Sequence, residues 1–481
     1  MTTVVTTTKA VRDLVPVVRE RLADLETPVS AFAKLRPLGG AFLLESVEGG
    51  ERMGRYSFIG VLPRATLVFR DGVASVLDDG GVRAVAYTDP LALLRSELAR
   101  YRRTAGTEMP RFSGGAVGYV SYEAARRFER LPTAARDVLR LPEAAFSIYD
   151  TVVCFDHVRH SLLVIAHEVE GEHENAASRI ARVFAALDAP ISLPTQVDRV
   201  VRATTANGTP DEYRARVVKA RELITEGDCI QIVVAQRFDV RPAPEPLALY
   251  RALRHVNPSP YMFLIDVAGA ALVGASPEPF VRVEGGRVVM YPIAGTRPRG
   301  RDETEDAAME AELRASEKER AEHIMLVDLA RNDIGRVSRP GTVRVRELMR
   351  VDRFSHVMHL TSVVDGELAA GLDALDAFRA CFPAGTVSGA PKIRAMERIA
   401  ELETDRRGPY AGAVGYLGFD GRMDTCIGIR TAVIADGVCR IQAGAGIVAD
   451  SDPAAEELET RAKARALLRA IEIVDGAEAV R

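Results

Sequence analysis

From Met262 to Pro292 the chain reads MFLIDVAGAALVGASPEPFVRVEGGRVVMYP, four short apolar runs with no room for a helix between them. Runs rich in β-branched residues, punctuated by glycine and proline, pair as neighbouring antiparallel strands, and Gly285-Gly286 closes the second pair as a hairpin. The same grammar recurs in AFLLES, RYSFIG, ATLVF, FSGGAVGYVSYEAAR, FSIYDTVVCFDH and CIQIVVAQRFDV. Helical periodicity is expected over 9–35, SRIARVFAALDA, TPDEYRARVVKARELITEGD, 303–330 and 452–475. Because the strands follow one another without alternating with helices, the class expected is α+β with large antiparallel sheets.

A chain of 481 residues is too long for one simple core. The stretch 189–208 is the expected boundary, dividing an N-terminal lobe, 1–205, from a catalytic lobe, 206–481. With 63 basic and 67 acidic residues the net charge is −4, which excludes an electrostatic footprint for nucleic acid or anionic membrane and favours a small-molecule ligand. The five cysteines have no zinc-ligand or CxxC spacing, and no apolar run reaches the length of a membrane span, so a reduced, cytoplasmic protein is expected.

Two helices carry acids on faces that turn apolar further along. Glu456, Glu459 and Lys463 share a face with Leu467, Ala470 and Val474, which predicts that the charged end points inward; Asp452 is the expected N-cap and Pro453 the first helical residue. Glu319 and Glu322 share a face with Leu326 and Leu329. Two inward pairs of carboxylates call for a compensating divalent cation, and oxygen-only donors favour Mg²⁺. For Glu319 a capping box with Ser316, and for Glu456 a favourable place in the helix dipole, are competing structural explanations; Glu322 and Glu459 have none and are the expected direct ligands.

Several segments look made for anions. PIAGTRPRG, from Pro292 to Gly300, is expected as a loop that combines two glycines, two prolines and two arginines, yet it presents Ala294 at its third position. Gly444, Gly446 and Ala449 fit G-x-G-x-x-A, but no βαβ unit surrounds them, so they are expected to form a loop whose N–H groups meet a carboxylate. Arg430 sits in an apolar run, which suits a ligand fork or buried ion pair, and Thr386 and Ser388 lie in the hydroxyl-rich turn FPAGTVSGAPK. A substrate with more than one carboxylate fits such a set.

These segments, with KERAEHIMLVDLARNDIGRVS, FSHVMHL, GPYAGAVGYLGF, DTCIGIRT and QAGAGIVADSDP, resemble the chorismate-binding enzymes, most closely the anthranilate synthase component I branch, from about Leu38 to Arg469. The resemblance implies two large antiparallel sheets packed together with surrounding helices, Mg²⁺, and chorismate. It implies that Glu322 and Glu459 bind Mg²⁺ directly and Glu319 and Glu456 through water. Tyr410, Arg430, Gly444, Gly446 and Lys463 would hold substrate carboxylates, and Gly295, Thr296 and Thr386 would line the ring pocket. Glu278 would protonate the departing C4 hydroxyl and His359 would assist at the ring. By itself, a histidine in an apolar run is more often a satisfied core residue.

Within such a family the chemistry divides by the nucleophile that attacks C2. Aminodeoxychorismate synthases typically carry lysine where this chain has Ala294. Isochorismate and salicylate synthases use water activated by a lysine where this chain has Gln231, and an amide is no general base. The implied nucleophile is ammonia, supplied by a separate glutamine amidotransferase subunit, since none of the five cysteines lies in a glutaminase-like turn. LLES and NPSPYMF resemble a feedback site for tryptophan, with Leu44, Ser46, Pro260, Tyr261, Met262, Val414 and Tyr416 as contacts. Small departures are Ala235, Ala330 and Arg461. The alternatives are an aminodeoxychorismate synthase and a tryptophan-sensing protein without catalysis.

Overall fold

The computed structural model describes residues 11–39, 41–46, 54–104, 109–132, 136–169, 174–191, 200–353 and 357–476. Within them the chain builds two sheets of 13 and 12 strands. The first runs Ala203–Ala206, Gln231–Arg241, Val438–Ile447, Thr431–Ala435, Ala270–Ser276, Tyr261–Val267, then Phe42–Glu45, Tyr56–Gly60, Thr151–Asp156, Ser161–Val169, Arg12–Leu22 and Tyr101–Arg103, with Gly389–Ala390 also pairing Gln231–Arg241. The second runs Ile293–Pro298, Val357–Glu367, Arg287–Met290, Pro279–Glu284, Met423–Ile427, Ala413–Gly418, then Gly115–Val120, Ala144–Tyr149, Ala65–Arg70, Val73–Asp78 and Gly81–Ala86, with Arg344–Arg353 also pairing Val357–Glu367. The sheets are antiparallel apart from the pairing of Arg12–Leu22 with Tyr101–Arg103. The turn residues explain why: Gly285 and Gly286 have φ of 58° and 74°, the double left-handed geometry that closes a two-residue hairpin without splaying its strands.

Phe42, Phe58, Phe112, Tyr149, Phe263 and Tyr416 fill the space between the sheets, with edge-on contacts such as Phe42–Tyr149 at 4.8 Å between centroids. Helices Pro28–Leu35, Ala176–Leu187, Pro246–Val256 and Pro453–Val474 pack with the first sheet. Helices Pro90–Leu98, Glu317–Gly335 and Ala374–Cys381 pack with the second. The result is a helix–sheet–sheet–helix sandwich.

Both sheets cross the division expected at 205. Strand Phe42–Glu45 pairs with Tyr261–Val267, and Gly115–Val120 with Ala413–Gly418, so the two halves of the chain lie side by side in shared sheets. Part of the expected boundary, 192–199, lies outside the described residues.

Four local expectations are corrected. The segment expected as one helix over 9–35 is a strand, Arg12–Leu22, followed by helix Pro28–Leu35; Val15, Val17 and Val18 flank Pro16, which removes a helix donor and favours extended backbone, and residues 9 and 10 lie outside the described set. The helix expected over 303–330 is two, Glu303–Ala315 and Glu317–Gly335, broken at Ser316, whose extended backbone (ψ 110°) ends one and caps the next. The loops expected at PIAGTRPRG and around Gly444 and Gly446 are strands, Ile293–Pro298 and Val438–Ile447. The face of Glu456, Glu459 and Lys463 is not the innermost: Glu457, Thr460 and Ala464 are buried in its place, whereas the Glu459 side chain is 48% exposed.

Candidate active site

Glu278 and Thr386 line a small cavity with Leu326 and Leu329 of helix Glu317–Gly335, the candidate cleft, and the start of that helix lies near the start of helix Pro453–Val474. Lys318 Nζ, in the first turn of one helix, stands 3.8 Å from Asp450 Oδ2, just before the other. As expected, Asp452 caps the later helix, accepting from Ala455 N at 2.8 Å, with Pro453 at its start.

On the second-sheet side, strand Ile293–Pro298 pairs with Val357–Glu367, and a break in register at Gly295 (φ 72°) sets Thr296 opposite His359. His359 Nδ1 lies 3.1 Å from the Gly295 carbonyl and 3.0 Å from Thr296 Oγ1. A carbonyl only accepts, so Nδ1 carries the proton and Nε2 is the basic nitrogen of the neutral ring. Burial lowers the His359 pKa below the usual histidine value, against the Gly295 bond and the charge of Glu278. Glu278 joins strands Ala270–Ser276 and Pro279–Glu284, its carbonyl accepting from Ile427 N at 3.0 Å. Thr386, in the short turn Gly385–Val387, donates to Glu278 Oε2 at 2.9 Å.

Arg430 is left-handed (φ 50°) and half-buried. Burial lowers its pKa, with Glu278 the first opposing charge and Tyr410 and Glu459 behind it. Among the described residues its guanidinium has no carboxylate at ion-pair distance and no hydrogen bond, so its five donors are available to a ligand. Burial pushes the Tyr410 hydroxyl up to about 12, keeping it a neutral donor. A Cβ at Gly444 would stand 2.6 Å from the Tyr410 hydroxyl and 3.1 Å from the Val234 carbonyl, and one at Gly446 would stand 2.7 Å from Gln231 Nε2, so a side chain at either position would have to displace a neighbour. Lys463 Nζ donates to the Gly444 carbonyl at 2.9 Å and pairs with Glu459 at 2.5 Å.

Glu319 and Glu322 lie on helix Glu317–Gly335, and Glu456 and Glu459 on helix Pro453–Val474. Gln231 Nε2 donates to Glu322 Oε1 at 3.1 Å, and Arg297 Nη1 donates to Glu319 Oε1 at 3.1 Å. Ser316 accepts from Glu319 N, but the Glu319 carboxylate is held by Arg297, so only half of the capping box forms. Burial raises the Glu456 pKa, opposed by a bond with Ser451 and reinforced by the charge of Glu459. A cation would relieve that strain, and an all-oxygen donor set fits a hard one in kind. Among the described residues no three His, Cys, Asp or Glu side chains stand as a metal-holding group. Sequence reasoning missed Arg297 as the partner of Glu319, although it lies inside the PIAGTRPRG segment.

A second cavity, of about 590 Å³, opens where the N-terminal and C-terminal strands of both sheets meet. Leu44, Ser46, Pro260, Tyr261, Met262, Val414 and Tyr416 all line it, beside Arg111, Arg282 and Asp424, which sequence reasoning did not single out. Tyr261 donates to Asp424 Oδ1 at 2.9 Å, and burial raises the pKa of both groups. The five cysteines are buried and free, and no helix among the described residues is long and apolar enough to cross a membrane.

Comparison with known proteins gives the family. Residues 40–469 match the family described as chorismate binding enzyme. Anthranilate synthase component 1 of Streptomyces coelicolor is 49% identical over 479 residues, covering 97% of this chain and 90% of that protein. Its counterpart from Aquifex aeolicus is 45% identical, with 96% of each chain covered. The crystal structure of anthranilate synthase component I from Streptococcus pneumoniae superposes with a TM-score of 0.79 at 39% identity, covering 86% of this chain and 92% of that one. A menaquinone-specific isochorismate synthase from Escherichia coli shares the fold, with a TM-score of 0.70 at 19% identity over 96% of both chains. The chain is an enzyme of the chorismate-binding family.

Proposed function

We propose that the chain is the synthase component of an anthranilate synthase, converting chorismate and ammonia to anthranilate, pyruvate and water. The observation that carries this reading is that Ala294 and Gln231, the two positions at which related chemistries use lysine, supply no amine, while Glu278, His359 and Arg430 stand ready around the cleft. Ammonia attacks C2 of chorismate and the C4 hydroxyl leaves as water, taking a proton that Glu278, held by Thr386, delivers. His359, neutral with Nε2 basic, then removes the C2 proton as the C3–O bond breaks, the ring becomes aromatic, and the enolpyruvate released takes up a proton at its methylene carbon to become pyruvate. Arg430, Tyr410 and Lys463 grip carboxylates, and the glycines at 444 and 446 let the Tyr410 hydroxyl and the Gln231 amide approach the strand closely.

Glu322 and Glu459 would hold Mg²⁺, with Glu319 and Glu456 behind them through water. Bound there, the ion supplies positive charge for the ring carboxylate. Ammonia comes from a partner glutamine amidotransferase subunit; the "component 1" in the relatives' names supports a partner. Tryptophan occupies the second cavity and inhibits. The test is to incubate the chain with chorismate, Mg²⁺ and ammonium salt. Anthranilate fluorescence supports the reading, accumulation of an aminated ring that keeps its enolpyruvyl group indicates an aminodeoxychorismate synthase, and no turnover indicates a sensing protein.

A further inference from the structure

The turn that carries Thr386 is enclosed by two buried cations, each with its own carboxylate. Arg407, 2% exposed, donates through Nε to Glu403 Oε2 at 2.8 Å and through Nη2 to Glu403 Oε1 at 2.6 Å. Two further donors go to carbonyls, Val387 at 2.7 Å and Val233 at 2.8 Å. Its flat face lies 4.6 Å from the Tyr122 ring centre and 5.6 Å from that of Tyr410. On the other side, Lys392, 8% exposed, pairs with Asp333 of helix Glu317–Gly335 at 2.6 Å and donates to the Cys381 carbonyl at 2.7 Å.

Three of the partners of these two cations belong to elements of the site. Val387 follows Thr386, Val233 lies two residues from Gln231 and opposite Gly446, and Asp333 rides on the helix of Glu319 and Glu322. A buried ion pair is weak evidence for stability alone, since its desolvation offsets its attraction.

We propose that Arg407 and Lys392 are positioning residues that clamp the Cys381–Lys392 segment from both sides, fixing the Thr386 hydroxyl on Glu278 and registering it against the strand of Gln231 and the carboxylate helix. Neither touches substrate; both act through Thr386. This rests on the anthranilate-forming reading, and wild-type turnover in the same assay separates a failure of that reading from a failure of this one.

The test compares wild type, Arg407→Lys, Thr386→Val and the double variant for kcat and KM in the ammonium-dependent reaction, with thermal unfolding of each. Lysine keeps the charge but cannot span Glu403 and both carbonyls. In a folded Arg407→Lys variant kcat should fall about 10- to 100-fold, the usual cost of losing a group that orients an active-site residue. Once Thr386 is valine, the Arg407 change should matter less than about 2-fold, because residues acting as one unit are non-additive. Full multiplication of the two losses, or unchanged kcat in the folded variant, would overturn the proposal. Asp333→Asn with Lys392→Met, which removes the other pair without leaving a buried charge, is the parallel variant and should show the same non-additivity. If neither Arg407→Lys nor this pair variant folds, the two pairs are scaffold and the proposal fails.

Discussion

His359 shows how one residue's surroundings select its chemistry. Burial lowers its pKa from 6.5, so the neutral imidazole persists as pH falls through the ordinary histidine range. Activity that needs the neutral ring is present above the shifted value and is lost as pH drops through it. The acidic limb of kcat against pH, at saturating magnesium and chorismate, should therefore lie below 6.5 and vanish in His359→Asn; a limb at or above 6.5 would contradict the assignment. Glu322→Gln should lower turnover by at least about 10- to 100-fold, since it removes a charge from a hard-cation site. Near-normal activity at ordinary magnesium concentration would remove Glu322 from that site. Glu278, His359 and Thr386 could be singled out from the sequence because they sit in distinctive motifs. The partners that tune them, Arg297, Arg407 and Lys392, were not, because their contacts join segments distant in sequence.

At the scale of elements, hairpins and capped helices were readable. Gly285-Gly286 closes its turn, and Thr209 and Glu212 form a full capping box at the start of helix Pro210–Thr225. Elements whose local signals conflict were not. Arg12–Leu22 has a helix-like charge pattern but pairs with Ser161–Val169 at an otherwise open edge, where tertiary pairing outweighs pattern. Gly444 and Gly446 looked like a loop because glycine is a poor strand former; here pairing with strand Gln231–Arg241 holds them in a strand, and the Tyr410 hydroxyl and Gln231 amide take up the space a side chain would fill. Gly444→Ala would set a Cβ 2.6 Å from the Tyr410 hydroxyl and 3.1 Å from the Val234 carbonyl. It should cost about 1–3 kcal/mol of stability and raise KM for chorismate, read by urea unfolding and by kinetics; an unchanged KM would show that this stretch of strand does not face the substrate.

For the whole molecule, the antiparallel class followed from hairpin grammar, but the seam between the halves of the chain did not, because no local signal marks which strands end up adjacent. That seam gives the second cavity its meaning. Its walls come from both halves, and strands Pro279–Glu284 and Met423–Ile427 run from Arg282 and Asp424 toward Glu278 and Arg430. A ligand there bears on both halves at once and can couple to the cleft, with a typical allosteric effect of about 5- to 150-fold on chorismate affinity. Ser46→Phe should fill the cavity and abolish inhibition by tryptophan while uninhibited activity persists, in paired titrations at subsaturating chorismate. Equal sensitivity in both proteins would place regulation elsewhere.

The central claim is that the nucleophile comes from outside the chain as ammonia, because Ala294 and Gln231 supply neither an amine nor a base. The direct measurement is the fate of isotope in the isolated chain, with chorismate and Mg²⁺ in ¹⁸O-water containing either ¹⁵N-ammonium or amide-¹⁵N glutamine. The expected products are anthranilate carrying ¹⁵N from ammonium, none from glutamine until an amidotransferase subunit is added, and no ring product bearing ¹⁸O at C2. A C2-hydroxylated ring labelled with ¹⁸O, or labelled anthranilate from glutamine with the chain alone, would contradict it.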